Sequence, residues 1–201
     1  MATIYDLKPG FQRLLRPLSD GLAAAGVTAN QVTVAALALS AAAGLCVYLF
    51  PLESWALALL PLALFVRMAL NAIDGMLARE HAMKSRLGAV LNELGDVVAD
   101  AVLYLPLAVV PGVPGRWVVL LVLVGVLSEM TGVVAVQIGA SRRYDGPLGK
   151  SDRALLFGLV ALLLAVGVEP GIWLGLLLAA ACALGLLTVV NRARRALAEA
   201  A

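Results

Sequence analysis

Six polar side chains stand where an apolar sequence should not hold them. Arg67, Asn71 and Asp74 follow one another at steps of four and three, and Asn92, Asp96 and Asp100 at steps of four. On a helix each trio gathers on one face. An ionisable group inside a bilayer costs several kcal/mol, roughly 2.5–3.5 on insertion scales, so each asks for a partner or a function. Carboxylate and amide oxygens are hard ligands that suit Mg²⁺ or Mn²⁺. Zinc would call for His or Cys, and the single histidine, His81, lies in the turn between the two trios.

That turn, a short polar stretch from Arg79 to Arg86, makes the two helices antiparallel. The register sets Asp74 opposite Asn92, Asn71 opposite Asp96 and Arg67 opposite Asp100. The reading is a buried ion pair between Arg67 and Asp100, beneath an oxygen-rich cluster of Asn71, Asp74, Asn92 and Asp96. Asp74 sits about five residues, or roughly 8 Å, from its helix end, which puts the cluster near the headgroups. Gly75, Ala78 and Gly88 are small enough for a ligand or a neighbouring backbone to come close, and Arg79 stands at the same boundary.

The elements that must position this cluster are membrane helices. Of 201 residues 62% are apolar and 14% charged, and the mean hydropathy is +0.97, too hydrophobic for one water-soluble domain. Apolar runs fall at about 30–50, 54–79, 86–110, 117–141, 152–168 and 171–191. The expectation is an all-α integral membrane protein of six transmembrane helices, preceded by an amphipathic juxtamembrane helix. It is read as one domain over 1–201, with a juxtamembrane region at 1–28 and a six-helix bundle at 30–191. In the juxtamembrane segment Leu7, Phe11, Leu14, Leu15 and Leu18 mix with Lys8, Arg13 and Arg16. No apolar core leads to a cleavage site there, so no removable signal peptide is expected.

Thirteen of the 15 Lys and Arg residues fall before the first span, in the 2–3 turn, in the 4–5 loop or after the sixth span, which a six-helix topology puts on one side. Arg116 alone takes the other side. The positive-inside rule then sets both termini and the cluster in the cytoplasm. A net charge of +2 gives no reason to expect nucleic acid as a partner. Cys46 and Cys182 lie in apolar runs and read as packing residues, Asn191 as a cap of the sixth helix, and Trp55, Trp117 and Trp173 as interfacial anchors.

The residues Asp74-Gly75-Met76-Leu77-Ala78-Arg79, then eight residues, Gly88, three residues, Asn92, three residues and Asp96 resemble the signature of the CDP-alcohol phosphotransferase (CDP-alcohol phosphatidyltransferase) family. That signature is D-x2-D-G-x2-A-R, a spacer, then G-x3-D-x3-D, on the second and third membrane helices. Asn71 and Asn92 stand where the family has its first and third aspartates. The resemblance implies Mg²⁺ or Mn²⁺, one or two ions, at Asn71, Asp74, Asn92 and Asp96, with Asp96 deprotonating the attacking hydroxyl. It implies nucleotide contacts from Asp74, Gly75, Ala78, Arg79 and Gly88. The implied reaction moves a phosphatidyl group from CDP-diacylglycerol, or a similar CDP-lipid, to a small alcohol and releases CMP. Homodimers are common in the family, and the Ala- and Leu-rich composition suits a bacterial plasma (inner) membrane.

In members that use phosphorylated polyols, basic residues of the 4–5 loop help bind the acceptor, which here points to Arg142, Arg143, Lys150 and Arg153. The positive-inside rule would also put basic residues there. Glu129 is a further intramembrane acid, read either as facing the site or as a packing residue. The two asparagines leave a second reading open: a weak or inactive relative that binds CDP-lipid or supports a partner enzyme.

Overall fold

The computed structural model describes residues 4–201, with side chains from Gly10 onward; the residues expected to contribute as Leu7 and Lys8 therefore have side chains outside the described ones. The described residues form seven α-helices and one short 3-10 helix, without strands. These are α1 (Ile4–Ala24), α2 (Ala29–Leu49), α3 (Ser54–Glu80), α4 (Arg86–Tyr104), α5 (Gly115–Gln137), α6 (Lys150–Ala165) and α7 (Ile172–Ala200), with the 3-10 helix at Leu105–Val109. Five of the six apolar runs each become one α-helix, and the run at 86–110 becomes α4 followed by the 3-10 helix.

Local chemistry sets the boundaries. Thr28 and Gln31 form a reciprocal capping box before α2: the Gln31 amide donates to Thr28 Oγ1 at 3.3 Å and the Thr28 amide to Gln31 Oε1 at 2.8 Å. Ser85 caps α4, its hydroxyl accepting the Gly88 N–H at 2.9 Å. Pro106 lacks the N–H that would extend α4, and the chain tightens there into the 3-10 turn. Gly26, at φ +78°, lets the Val27 N–H turn back to the Leu22 carbonyl at the end of α1.

Among the described residues, four helices are long and apolar enough to cross a bilayer: α2, α3, α5 and α7. Helix α4 carries the polar trio, and α6 has 16 residues. Leu62, Phe65, Leu94, Leu123 and Leu176 are more than half exposed, an outer surface that suits lipid and would drive association in water. Together the helix lengths and this apolar exterior make the chain an integral membrane protein.

The chain divides into two compact units. The first holds residues up to 42 together with 62–99, and so α1, most of α2, the second part of α3 and most of α4. Its core joins Ala29 and Val32 of α2 to Ile73 and Leu77 of α3, with Leu15 and Leu22 of α1 packed against them. Leu14 and Leu18 turn outward from α1, at 75% and 54% exposure, leaving an apolar face next to Arg13 and Arg16. Two contacts tie α1 to the end of α3: an ion pair of Arg16 with Glu80 at 2.9 Å, and a hydrogen bond between Asp20 Oδ1 and His81 Nε2 at 3.0 Å. His81, the histidine of the turn between the two trios, thus has a structural partner in α1.

The second unit comprises 43–61 and 100–201, where α5 packs along α7. Helix α7 continues to Ala200, well beyond the apolar run, so Asn191 lies inside it and caps nothing. Ala, Arg and Leu are good helix formers, and the backbone goes on after the apolar stretch has ended. Arg192, expected in a cytoplasmic tail, is buried at 1% exposure within this helix.

Candidate functional site

The first unit brings Arg67, Asn71 and Asp96 together. On α3, Asn71 and Asp74 share a face with Arg67; on α4, Asp96 faces them. Asn71 donates its side-chain amide to Asp96 Oδ1 at 3.3 Å, which is the level the antiparallel register assigns to this pair. Arg67, 3% exposed, donates to the same Asp96 Oδ1 at 3.4 Å and to the Asp96 carbonyl at 3.1 Å. Asp74 is buried, and its Oδ2 accepts the hydroxyl of Thr33 from α2 at 2.8 Å. Asn92 sits on α4 one turn before Asp96, exposed.

Two glycines leave room for neighbouring side chains. A Cβ on Gly75 would stand 3.1 Å from both terminal nitrogens of Arg79, because the arginine of the next turn lies back over the glycine. A Cβ on Gly88 would meet the Asn30 side-chain oxygen at 2.8 Å and the Ser85 hydroxyl at 3.0 Å. Gly88 therefore leaves room for Asn30 and for the Ser85 cap. Ala78, half-buried, packs against the Ile73 and Leu77 core. Arg79 is exposed, with its guanidinium above the surface that Gly75 keeps low.

Two contributors were missed in the sequence, Asn30 and Thr33. They lie three residues apart at the start of α2, and nothing in their spacing ties them to α3 or α4. Only the packing of α2 reveals their place.

The sequence paired Arg67 with Asp100. Each has a partner within its own unit: Asp96 for Arg67, and Arg153 for Asp100, whose Oδ2 accepts from Arg153 Nη2 at 3.4 Å.

The residues suggested for acceptor binding are in the second unit. Arg153 is 3% exposed and donates to Ser128 Oγ and Glu129 Oε1, both at 3.1 Å, as well as to Asp100. Arg142 donates to Glu129 Oε2 at 3.0 Å. Arg192 approaches Glu129 Oε1 at 3.4 Å and donates to the carbonyls of Ser128 and Asp145, at 2.6 and 3.0 Å. Glu129 is thus the common anion of three arginines, a role that the alternatives of facing the site or packing did not describe. Arg143 pairs with Asp145 at 2.8 Å and with Glu199, which also accepts the Ser141 N–H at 2.8 Å. Lys150 opens α6. Burial alone would push the Asp145 carboxyl up, but hydrogen bonds from Arg143 and Arg195 outweigh it and hold that group below the usual carboxylate range.

Chemically, the first unit offers two carboxylates, two amides and a hydroxyl at the end of an apolar helix pair, with an arginine at the rim. Among the described residues no three His, Cys, Asp or Glu side chains come together as a metal-holding group. The donor set is nevertheless all oxygen, which fits a hard divalent cation once the amide oxygens of Asn71 and Asn92 are counted.

Comparison with known proteins gives a consistent picture. The CDP-alcohol phosphatidyltransferase family model matches residues 26–189. Inner membrane protein YnbA of Escherichia coli (strain K12) is 48% identical over 195 residues, covering 97% of this chain and 96% of that protein. Mycobacterium tuberculosis phosphatidylinositol phosphate synthase (PgsA1) with CDP-DAG bound has a TM-score of 0.76 at 20% identity, over 92% of this chain and 94% of that one. The same synthase in complex with manganese and citrate also has a TM-score of 0.76 at 20% identity, over 90% and 88%. At that identity the likeness to the synthase is one of fold.

Proposed function

The chain belongs to the CDP-alcohol phosphatidyltransferase family, and from that membership we propose that it moves a phosphatidyl group from CDP-diacylglycerol, or a similar CDP-lipid, to the hydroxyl of a small polar alcohol, releasing CMP. The observation that carries this reading is the Asn71–Asp96 hydrogen bond, which sets the face of α3 that also bears Asp74 against α4, with Arg79 lying back over Gly75 one turn further on.

In this reading Arg79 and the low surface at Gly75 receive the donor's diphosphate. Asp96 takes the proton of the acceptor hydroxyl as its oxygen bonds to the lipid-side phosphorus. The bond from that phosphorus to the bridging oxygen breaks, and its electron pair leaves with CMP. Thr33 and the core around Ile73 hold Asp74 in place. Asp74, Asp96 and the amide oxygens of Asn71 and Asn92 would hold Mg²⁺ or Mn²⁺, which supplies charge compensation for the two phosphates. The synthase of similar fold has been solved with CDP-DAG and with manganese, which supports the choice of donor and metal.

The whole chain, 1–201, serves as one functional domain with six membrane helices, a juxtamembrane α1 and cytoplasmic termini and site. The name of the 48% identical relative supports placement in a bacterial inner membrane. A homodimer is the proposed assembly. The buried pair of Arg67 with Asp100 remains a proposal beside the partners described above. Arg142, Arg143 and Arg153 already hold carboxylates, so an acceptor phosphate would compete with Glu129, Asp145 and Asp100 for them.

The test is product lipid formation by the purified chain from CDP-diacylglycerol with free and phosphorylated polyols, read by mass spectrometry. One acceptor yielding a new phospholipid supports the proposal. A second reading, a relative that binds CDP-lipid without turnover, rests on Asn71 and Asn92; CDP-lipid binding with no product from any acceptor would favour it.

A further inference from the structure

Glu129 stands on α5 with a glycine one turn away on either side, Gly125 and Gly132, and Ser128 shares their face. The glycines open that face to guanidinium groups. A Cβ on Gly125 would meet Arg153 Nε at 3.0 Å, and one on Gly132 would overlap the Arg142 guanidinium. Arg153 comes from α6, Arg192 from α7 and Arg142 from the loop between α5 and α6, so three segments of the second unit deliver a guanidinium to one carboxylate. Both carboxylate oxygens are engaged: Oε1 by Arg153 at 3.1 Å and Arg192 at 3.4 Å, and Oε2 by Arg142 at 3.0 Å. Ser128 fixes two of these arginines in place, its hydroxyl accepting from Arg153 at 3.1 Å and its carbonyl from Arg192 at 2.6 Å. Guanidinium groups closing from several sides on the oxygens of one anion are how proteins grip a phosphate. Here the anion comes from the chain itself.

We propose that Glu129 fills, as a built-in anion, the place a phosphate would take among Arg142, Arg153 and Arg192, and that the acceptor is therefore an alcohol without a phosphate. A phosphate brought to these arginines meets the Glu129 carboxylate already among them, and like charges side by side repel. That is exclusion by a repulsive element rather than by a missing contact. An uncharged polyol meets no such conflict. The filling of the arginine cluster stands on its geometry alone, whereas the choice of acceptor deepens the phosphatidyl-transfer reading and rests on it. Glu129 is then a specificity-determining residue.

The test uses the full-length chain in detergent, with inorganic phosphate and glycerol 3-phosphate at millimolar concentration as probes and potassium chloride of equal ionic strength as the control. For the melting comparison every chain carries Arg79→Ala, so that a phosphate held by that arginine does not contribute. With Glu129 in place, the melting temperature should be the same in all three solutions. Glu129→Gln should melt lower in chloride, and either phosphate should restore part of the loss by binding the folded state. Glu129→Asp, which keeps the anion, should stay insensitive to phosphate. A purely structural role for Glu129 would lower stability without creating a response to phosphate. With CDP-diacylglycerol, wild type should use glycerol or inositol with a kcat/KM at least about tenfold above that for the corresponding polyol phosphate. Stabilisation by phosphate with Glu129 in place would overturn the proposal, as would a polyol phosphate used as well as the free polyol. So would a folded Glu129→Gln chain indifferent to phosphate; if that variant does not fold, the chain that keeps Glu129 decides by itself. The melting comparison needs no turnover, so absence of product lipid from every acceptor counts against the proposed reaction and not against the filled arginine cluster.

Discussion

Asn71 on α3 donates its side-chain amide to Asp96 on α4 at 3.3 Å, the pairing that locks the two polar faces at one depth. Neutral amide to carboxylate is a contact that two aspartates could make only with a proton or a cation between them. The asparagine therefore closes the helix pair by itself, while Arg67 holds the same carboxylate oxygen from one turn away.

Thr33 anchors the other carboxylate. Thr33→Val keeps the shape of the side chain and removes the hydroxyl that Asp74 accepts. A hydrogen bond to a charged group contributes about 1.5–3 kcal/mol, so the variant should unfold at a lower temperature in detergent and show a higher KM for the CDP-lipid. An unchanged melting temperature together with an unchanged KM would show that Asp74 is held by other groups.

Gly75→Ala should act through Arg79. The added methyl would stand 3.1 Å from the guanidinium nitrogens, the far end of a flexible side chain, so the fold survives and the arginine moves. A displaced phosphate contact should lower kcat/KM about tenfold or more, with little change in melting temperature. Arg79→Ala should give a similar loss, and the double variant little beyond it, because both act on one contact.

These two predictions show what was legible in the sequence. The carboxylates, the asparagines, Gly75 and Gly88 could be read because helical spacing converts sequence distance into a shared face, and the 79–86 turn fixes the register. Thr33 and Asn30 could not. Their helix reaches the site by tertiary packing, which no periodicity encodes. Likewise Arg192 and Arg153 were read as cytoplasmic charges because they follow or open apolar runs, yet both are buried against the carboxylate of Glu129. The end of an apolar run marks the end of favourable lipid contact, and α7 continues past it.

Glu129→Gln should destabilise the second unit strongly. It would leave Arg153 and Arg192, both at most 3% exposed, without the anion they share, and breaking a buried ionic contact costs about 3–5 kcal/mol. Thermal unfolding in detergent measures the loss. Glu129→Asp, which retains the charge on a shorter side chain, should lose less.

The loop between α5 and α6 should loosen in acid. Asp145 titrates below its ordinary range because Arg143 and Arg195 hydrogen-bond its carboxylate against the opposing effect of burial. A depressed carboxylate contributes stability above its unfolded pKa of about 4 and loses it as pH falls through the lower folded value. Melting temperature measured from pH 7 to pH 3 should therefore fall at the acid end more steeply in wild type than in Asp145→Asn. Parallel curves would contradict this account of the loop.

The measurement that tests the central claim most directly is CMP release from CDP-diacylglycerol by the purified chain, with Mg²⁺ or Mn²⁺ and a panel of alcohols, comparing wild type with Asp96→Asn. The account predicts release that requires an acceptor and a divalent cation, and that falls at least about a hundredfold in Asp96→Asn. No CMP from wild type with any acceptor, or equal release from the variant, would contradict it.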